Sequence, residues 1–318
     1  MRHFLRRLVL FLLPLLLMAV AAEVLARRVP NTKKFKRALV LEKGHRTKVA
    51  ILGNSVAEDG LAPSLLGDST YNYALSGQPL RFTLRFYQKY LDTLRQLRHV
   101  ILGENYNILF YDAYRSPFAD HTELYRQEQL SGYRIYMGLY DDRNPLHYSE
   151  LLSCPSRVHA KLVRCLLGQP TLQSDSLGRY TGSPYASSHH SAEELLADAQ
   201  NFIAQNRITD TALLLEIFQE NLGFLDTLAM STAAKGIRLD LLLLPVGPNC
   251  LPLYDTLILA RTFRAFEACA KKYPNVHFHN YLRDLTLPPQ YFADANHLNC
   301  DSGATAFSRI VRRDLGLE

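Results

Sequence analysis

Two short stretches of this chain carry residue types and spacings suited to chemistry. The first is Lys48-Val49-Ala50-Ile51-Leu52-Gly53-Asn54-Ser55. Its apolar centre reads as a buried strand that stops at a small polar turn, with a serine at the tip. The second is Asp294-Ala295-Asn296-His297, in a segment that reads as a loop. A serine hydroxyl is inert at neutral pH and needs a base. A histidine can serve, with a carboxylate to hold its tautomer and stabilise the imidazolium. Ser55, His297 and Asp294 are therefore the candidate catalytic residues, and the chemistry is nucleophilic acyl transfer. Each also has a plainer role. A serine between strand and helix can cap the helix, a loop histidine can be structural, and an aspartate can shape a turn. Taken jointly, their types and order favour catalysis.

The elements that must bring these stretches together follow a strand–helix rhythm. Residues 49–52, 69–75, 99–103, 239–244 and 276–279 read as strands. Residues 78–98, 191–206, 209–235, 254–273 and 301–315 read as helices. Such alternation predicts an α/β fold, a three-layer doubly wound parallel sheet. Ligands of such sheets sit beyond the carboxyl ends of the strands. Ser55, Gly77, Asn105 and the loop Pro245–Asn249 all follow strands, so they share one edge. Asn249, Tyr254 and Cys300 are candidates for the rim of a substrate site. Residues 106–190 break the rhythm and are rich in Tyr, Pro and Ser, with turn signals at Ser116-Pro117, Asn144-Pro145 and Gly182-Ser183-Pro184. They read as a helical or irregular insertion, ordered as a cover. His189-His190 read as surface residues at a helix start.

Charge is unevenly placed. Residues 1–50 hold twelve Lys/Arg and two Glu, a net +10, which leaves −4 on the remainder of a chain of net +6. A nucleic-acid protein carries its basic surface on the folded part, so none is expected as a partner. Arg2, Arg6 and Arg7 precede an apolar run from Leu8 to Ala22, interrupted by Glu23 and extended by Val24-Leu25-Ala26. Residues 1–26 read as a membrane anchor that places the domain outside the cytoplasm. The alternative is a signal peptide cleaved near Ala19-Val20-Ala21, which gives a secreted protein. Residues 27–46 read as a basic linker near anionic headgroups, and 47–318 as the α/β domain. The five cysteines, Cys154, Cys165, Cys250, Cys269 and Cys300, form no CxxC pair, and no Cys/His cluster has zinc spacing. Cys154 and Cys165 could close a short loop or stand as two thiols. No metal and no cofactor are expected.

Gly53-Asn54-Ser55, Gly77, Gly103-Glu104-Asn105 and Asp294-x-x-His297 fall in an order that resembles the SGNH/GDSL hydrolase superfamily. The likeness is to its membrane-anchored bacterial envelope branch, related to polysaccharide O-acyltransferases. His297-Leu298-Asn299, Gly303-Ala304 and Phe307-Ser308 resemble the C-terminal block of that branch. The likeness covers residues 47–105 and 236–315 and leaves out the insertion. It implies a flavodoxin-like fold of the SGNH type and an exported serine esterase or O-acyltransferase. The substrate would be an acyl ester of an envelope glycan, acetyl by preference. The oxyanion donors would be the backbone N–H groups of Ser55 and Gly77 and the Asn105 amide, each worth roughly 3 kcal/mol of barrier. Two departures stand out. Asn54 replaces the usual Asp, and Glu104 sets a carboxylate beside the oxyanion donors. They motivate the alternative of a non-catalytic module that binds a glycan or a protein partner.

Overall fold

The structure is a computed structural model of the full chain. It describes residues 1–112, 115, 130–140, 143–153, 155–168, 172–182, 190–206, 208 and 210–317, apart from the side chains of 155–158 and 161. Ser116-Pro117, Ser183-Pro184, Cys154 and His189 lie outside the described residues. The chain divides into two units. One combines Met1–Phe35 with Thr122–Leu172, and the other combines Lys36–His121 with Gln173–Glu318.

The larger unit is built on five parallel strands: β1 (Val49–Gly53), β2 (Thr70–Asn72), β3 (His99–Glu104), β4 (Arg238–Leu243) and β5 (Val276–Asn280). Their order is β2-β1-β3-β4-β5. β1 and β3 are buried along their whole length, as expected for parallel strands covered on both faces. Helices Leu80–Phe86, Thr211–Ala233 and Thr256–Lys272 pack together on one face, and Ser55–Gly60 with Ser302–Leu315 on the other. The unit is thus a three-layer α/β fold of flavodoxin-like strand order. The order reverses between β1 and β3, where such sheets bind ligands.

Two elements are shorter than the sequence pattern predicts. β2 holds three residues, entered through Ser69 at a φ of 61°. Beyond it, extended chain still donates Tyr73 N–H to Ile51 O and Leu75 N–H to Gly53 O. The helix expected over 78–98 ends at Phe86 and passes into a π-helical turn, Tyr87–Leu91. Leu94 and Leu97 keep the apolar spacing through turns instead, their N–H groups bonding to Leu91 O and Leu94 O. The helix after the insertion starts as expected, with Ser191 and Glu194 forming a reciprocal capping box.

The stem differs from the linker expected over 27–46. Residues Thr32–Lys43 are helical, and Lys36, Leu39 and Val40 are buried. From Lys36 onward the stem belongs to the α/β unit. Its basic composition concealed a helix with one buried face.

In the smaller unit, Arg2–Arg28 forms a single helix long and apolar enough to cross a membrane, and none of its apolar window is buried in the protein. It groups with residues 122–172 rather than standing apart from them. The insertion is thus divided between the two units, where the sequence suggested one block within a single domain.

Candidate active site

The site begins with two facing glycines. Gly53 ends β1 in register with Gly103 of β3. A Cβ on Gly53 would stand 1.9 Å from the Gly103 carbonyl oxygen, and Gly53 has a φ of 131°. A Cβ on Gly103 would meet the Ala57 methyl at 2.8 Å. Only glycine at both positions lets the helix Ser55–Gly60 settle directly over the sheet. Asn54, not Ser55, caps this helix, its Oδ1 accepting the Val56 N–H at 3.2 Å. The cap role is therefore filled, and the serine hydroxyl is left for another partner. Asn72 of β2 secures the helix from below, its amide donating to the Ala57 and Leu61 carbonyls.

That other partner is His297. Ser55 Oγ and His297 Nε2 are 2.8 Å apart, and His297 Nδ1 lies 2.9 and 2.8 Å from the two oxygens of Asp294. Asp294 Oδ1 also accepts the backbone N–H groups of Asn296 and His297. This arrangement directs the Nδ1 proton to Asp294 and leaves Nε2 to accept from the serine. Burial opposes ionisation of Asp294, but His297 and the two N–H groups outweigh it and hold its carboxyl below the ordinary value. For His297, burial lowers the pKa and the Asp294 carboxylate more than restores it, so the imidazole lies above its ordinary value.

The loop carrying the pair is tied down on several sides. Ala293 N–H bonds to His297 O, Gly247 N–H to Ala295 O, and Ala295 N–H to the Asp198 carboxylate. Asn299 accepts the Gly303 N–H and donates to Gln290 O. A Cβ on Gly303 would fall 2.0 Å from Tyr291 O, so the final helix can begin there only with glycine.

Gly77 and Asn105 follow the strands on either side of β1, at the edge that holds Ser55. Gly77, at a φ of 65°, lies two residues beyond Leu75, whose N–H bonds to Gly53 O just before Ser55. Asn105 follows β3 directly, and among the described residues no hydrogen bond engages its side-chain oxygen.

The rim candidates divide. Tyr254 is buried, stacks on Tyr106 at 4.4 Å between ring centroids, and donates to Asn296 Oδ1 at 2.6 Å. It braces the histidine loop through Asn296. Asn249 is exposed at a φ of 66°, and its side chain makes no hydrogen bond to the triad. Its left-handed turn suits an asparagine and accounts for the residue. Cys300 is buried, as are Cys250 and Cys269, while Cys165 is exposed; all four are free thiols. Among the described residues no cluster of three His, Cys, Asp or Glu could hold a metal ion. A groove of about 580 Å³ lined by Phe218, Leu222, Arg261 and Lys272 shares no residue with the triad.

Three acidic or basic groups around the site escaped the sequence reading. Asp59 stands one helical turn beyond Ser55 on the same helix face, 3% exposed. Burial pushes its carboxyl up to about 7, against the attraction of His297. The four-residue spacing from Ser55 was the available signal. Glu58 accepts the Ser76 N–H at 2.7 Å, and so fixes the residue before Gly77. Lys36, fully buried, faces Glu58 at 3.4 Å and donates to the carbonyls of Asn72 and Gly178. Nothing in the sequence separates Lys36 from its basic neighbours. Glu104 is fully buried, and burial raises its carboxyl well above the ordinary value, the Asn54 N–H only partly offsetting this. Burial thus disfavours a negative charge at Glu104 beside the oxyanion donors.

No family model matches the chain, and no curated protein matches it. Among solved structures, a Streptococcus pneumonia protein provisionally described as a platelet activating factor is similar. It shares 13% identity over 93% of this chain and 99% of its own, with a TM-score of 0.46. A likeness of this size carries no argument about activity.

Proposed function

We propose that the chain is a membrane-anchored, extracytoplasmic SGNH-type serine esterase or O-acyltransferase, acting on an acyl ester, acetyl by preference, of an envelope glycan. The observation that carries this reading is the unbroken Ser55–His297–Asp294 relay, with contacts of 2.8 to 2.9 Å. In the first half-reaction His297 Nε2 takes the Ser55 proton while Oγ attacks the ester carbonyl. The N–H groups of Ser55 and Gly77 and the Asn105 amide receive the oxyanion. His297 then returns the proton to the departing alcohol, and the acyl group rests on Ser55. Attack by water on this acyl-enzyme is hydrolysis, and attack by a sugar hydroxyl is transfer. The apolar helix at the N-terminus, an anchor or a signal sequence by its character, supports an address outside the cytoplasm. The two departures from the family pattern fit catalysis, since Asn54 keeps the turn by capping the helix and burial disfavours a charge on Glu104.

The test is labelling by a fluorophosphonate probe, which reacts with activated serines. Wild type should label and Ser55→Ala should not, with circular dichroism confirming that both fold. A folded wild type that does not label, or equal labelling of both, would move the reading to the non-catalytic binding module.

A further inference from the structure

The feature left unexplained is Glu23, an acidic residue within the apolar helix Arg2–Arg28. Its carboxylate is occupied. It accepts from Ser149 Oγ at 2.9 Å, from the backbone N–H groups of Glu150 and Leu151 at 3.0 and 2.9 Å, and from Arg27 at 2.6 Å. The short helix Glu150–Ser153 and the helix Pro155–Leu166 that follows it both contact Arg2–Arg28. A carboxylate in the apolar stretch thus ties the insertion to the anchor at a defined height.

That height can be worked out. Leu8 to Arg27 counts twenty residues, and twenty residues of helix rise about 30 Å, the thickness of a hydrocarbon core. Glu23 lies four residues before Arg27, about 6 Å below the end of such a span. Amphipathic helices that lie in a membrane interface bury their apolar side roughly 5–10 Å deep. The segment joined to Glu23 has side chains suited to that depth. Leu146, Leu152, Leu166 and Leu167 are 59%, 60%, 87% and 67% exposed to solvent in the protein itself. Arg28, Lys34 and Arg164 are exposed cations of the same unit, suited to lipid phosphates.

Resting on the anchor reading, we infer that Leu146, Leu152, Leu166 and Leu167 form a membrane-inserted foot, buried in the lipid interface beside the anchor. The occupant of this apolar surface is the bilayer itself. Glu23 holds Ser149, Glu150 and Leu151, which lie between Leu146 and Leu152, at the level of the acyl-chain boundary, and the helix Pro155–Leu166 contacts the same apolar helix, which selects the bilayer over a protein partner.

Cys165 provides the probe, since it is exposed in the helix Pro155–Leu166. The full chain carrying Cys154→Ser is labelled at Cys165 with a nitrobenzoxadiazole fluorophore. It is then reconstituted in phosphatidylcholine–phosphatidylglycerol vesicles. Retention through an alkaline carbonate wash reports the anchor independently. The inference expects retained protein whose fluorescence is quenched several-fold more by nitroxide lipids than by aqueous iodide. Adding Leu166→Asp and Leu167→Asp should reverse that ratio while retention persists. Retained protein quenched mainly by iodide would overturn the foot and leave the anchor standing. Retained protein shielded from both quenchers would mean that protein covers the surface, and would also overturn it. Loss of the protein in the wash would sink the anchor reading and the foot with it.

Discussion

Lys36→Met is the most informative single change outside the triad. The Lys36 ammonium is fully buried, and the Glu58 side chain is 3% exposed, with 3.4 Å between Nζ and Oε1. At an effective dielectric constant of ~20, charges at the 3.4 Å of this pair attract by about 5 kcal/mol. Solvent does little screening at this burial. Deleting one partner of such a pair strands the other charge and typically costs ~3–5 kcal/mol. The variant should therefore lose about 3–5 kcal/mol of stability, far more than the near-zero effect expected of a lysine in a solvated linker. Lys36→Met with Glu58→Gln should recover much of that loss, because neither charge is then left alone. The assay is urea unfolding of the solubilised full chain by circular dichroism, compared at unchanged slope. Because Glu58 also holds the Ser76 N–H ahead of Gly77, the folded fraction of Lys36→Met is expected, on the proposed function, to lose kcat more than it raises KM. A Lys36→Met midpoint equal to wild type, or a double variant no better than the single, would refute the reasoning.

Three further outcomes are expected. Because the Asp294 carboxylate holds His297 above its ordinary 6.5 against burial, and the base acts when neutral, ester cleavage should rise with pH through a midpoint above that value. Asp294→Asn should lower both kcat and the midpoint in a pH–rate profile, and Asp59→Asn should lower the midpoint alone by a smaller amount. The same raised pKa adds stability that is full below the unfolded value and is lost as pH climbs through the folded one. Asn105→Ala should cost about 10²–10³ in kcat on a short acyl ester, with KM nearly unchanged in steady-state kinetics. Gly53→Ala should abolish folding, seen as loss of soluble protein and of the native circular dichroism spectrum, because its methyl would meet a backbone oxygen and the backbone is left-handed.

Much of this protein was legible along the chain. Val49–Gly53 and His99–Glu104 are apolar runs with polar turns after them, so their place at the centre of a parallel sheet follows from local pattern. Ser55, His297 and Asp294, which the structure brings into contact, could be named as candidates because acyl-transfer chemistry needs particular residue types, and Ser55 and His297 stand at recognisable punctuation, a strand end and a loop. The stem was not legible in the same way. Lys36 lies in a basic stretch, and composition cannot show which one of several cations turns inward.

Local sequence thus determined the strands, the strand-end turns and the residue types able to react. Tertiary structure alone decided which groups meet. Ser55 and His297 are 242 positions apart, and their 2.8 Å contact exists only because β1 lies within the sheet and the last loop is fastened back over it. The raised carboxyl pKa values of Glu104 and Asp59 also arise there, since burial sets them and no residue carries its own burial in its name. Tyr254 makes the same point in reverse. It was a candidate for the rim, but its ring is buried against Tyr106 and its hydroxyl is bonded to Asn296. Types and order are properties of the chain, while distance and dielectric are properties of the packed molecule.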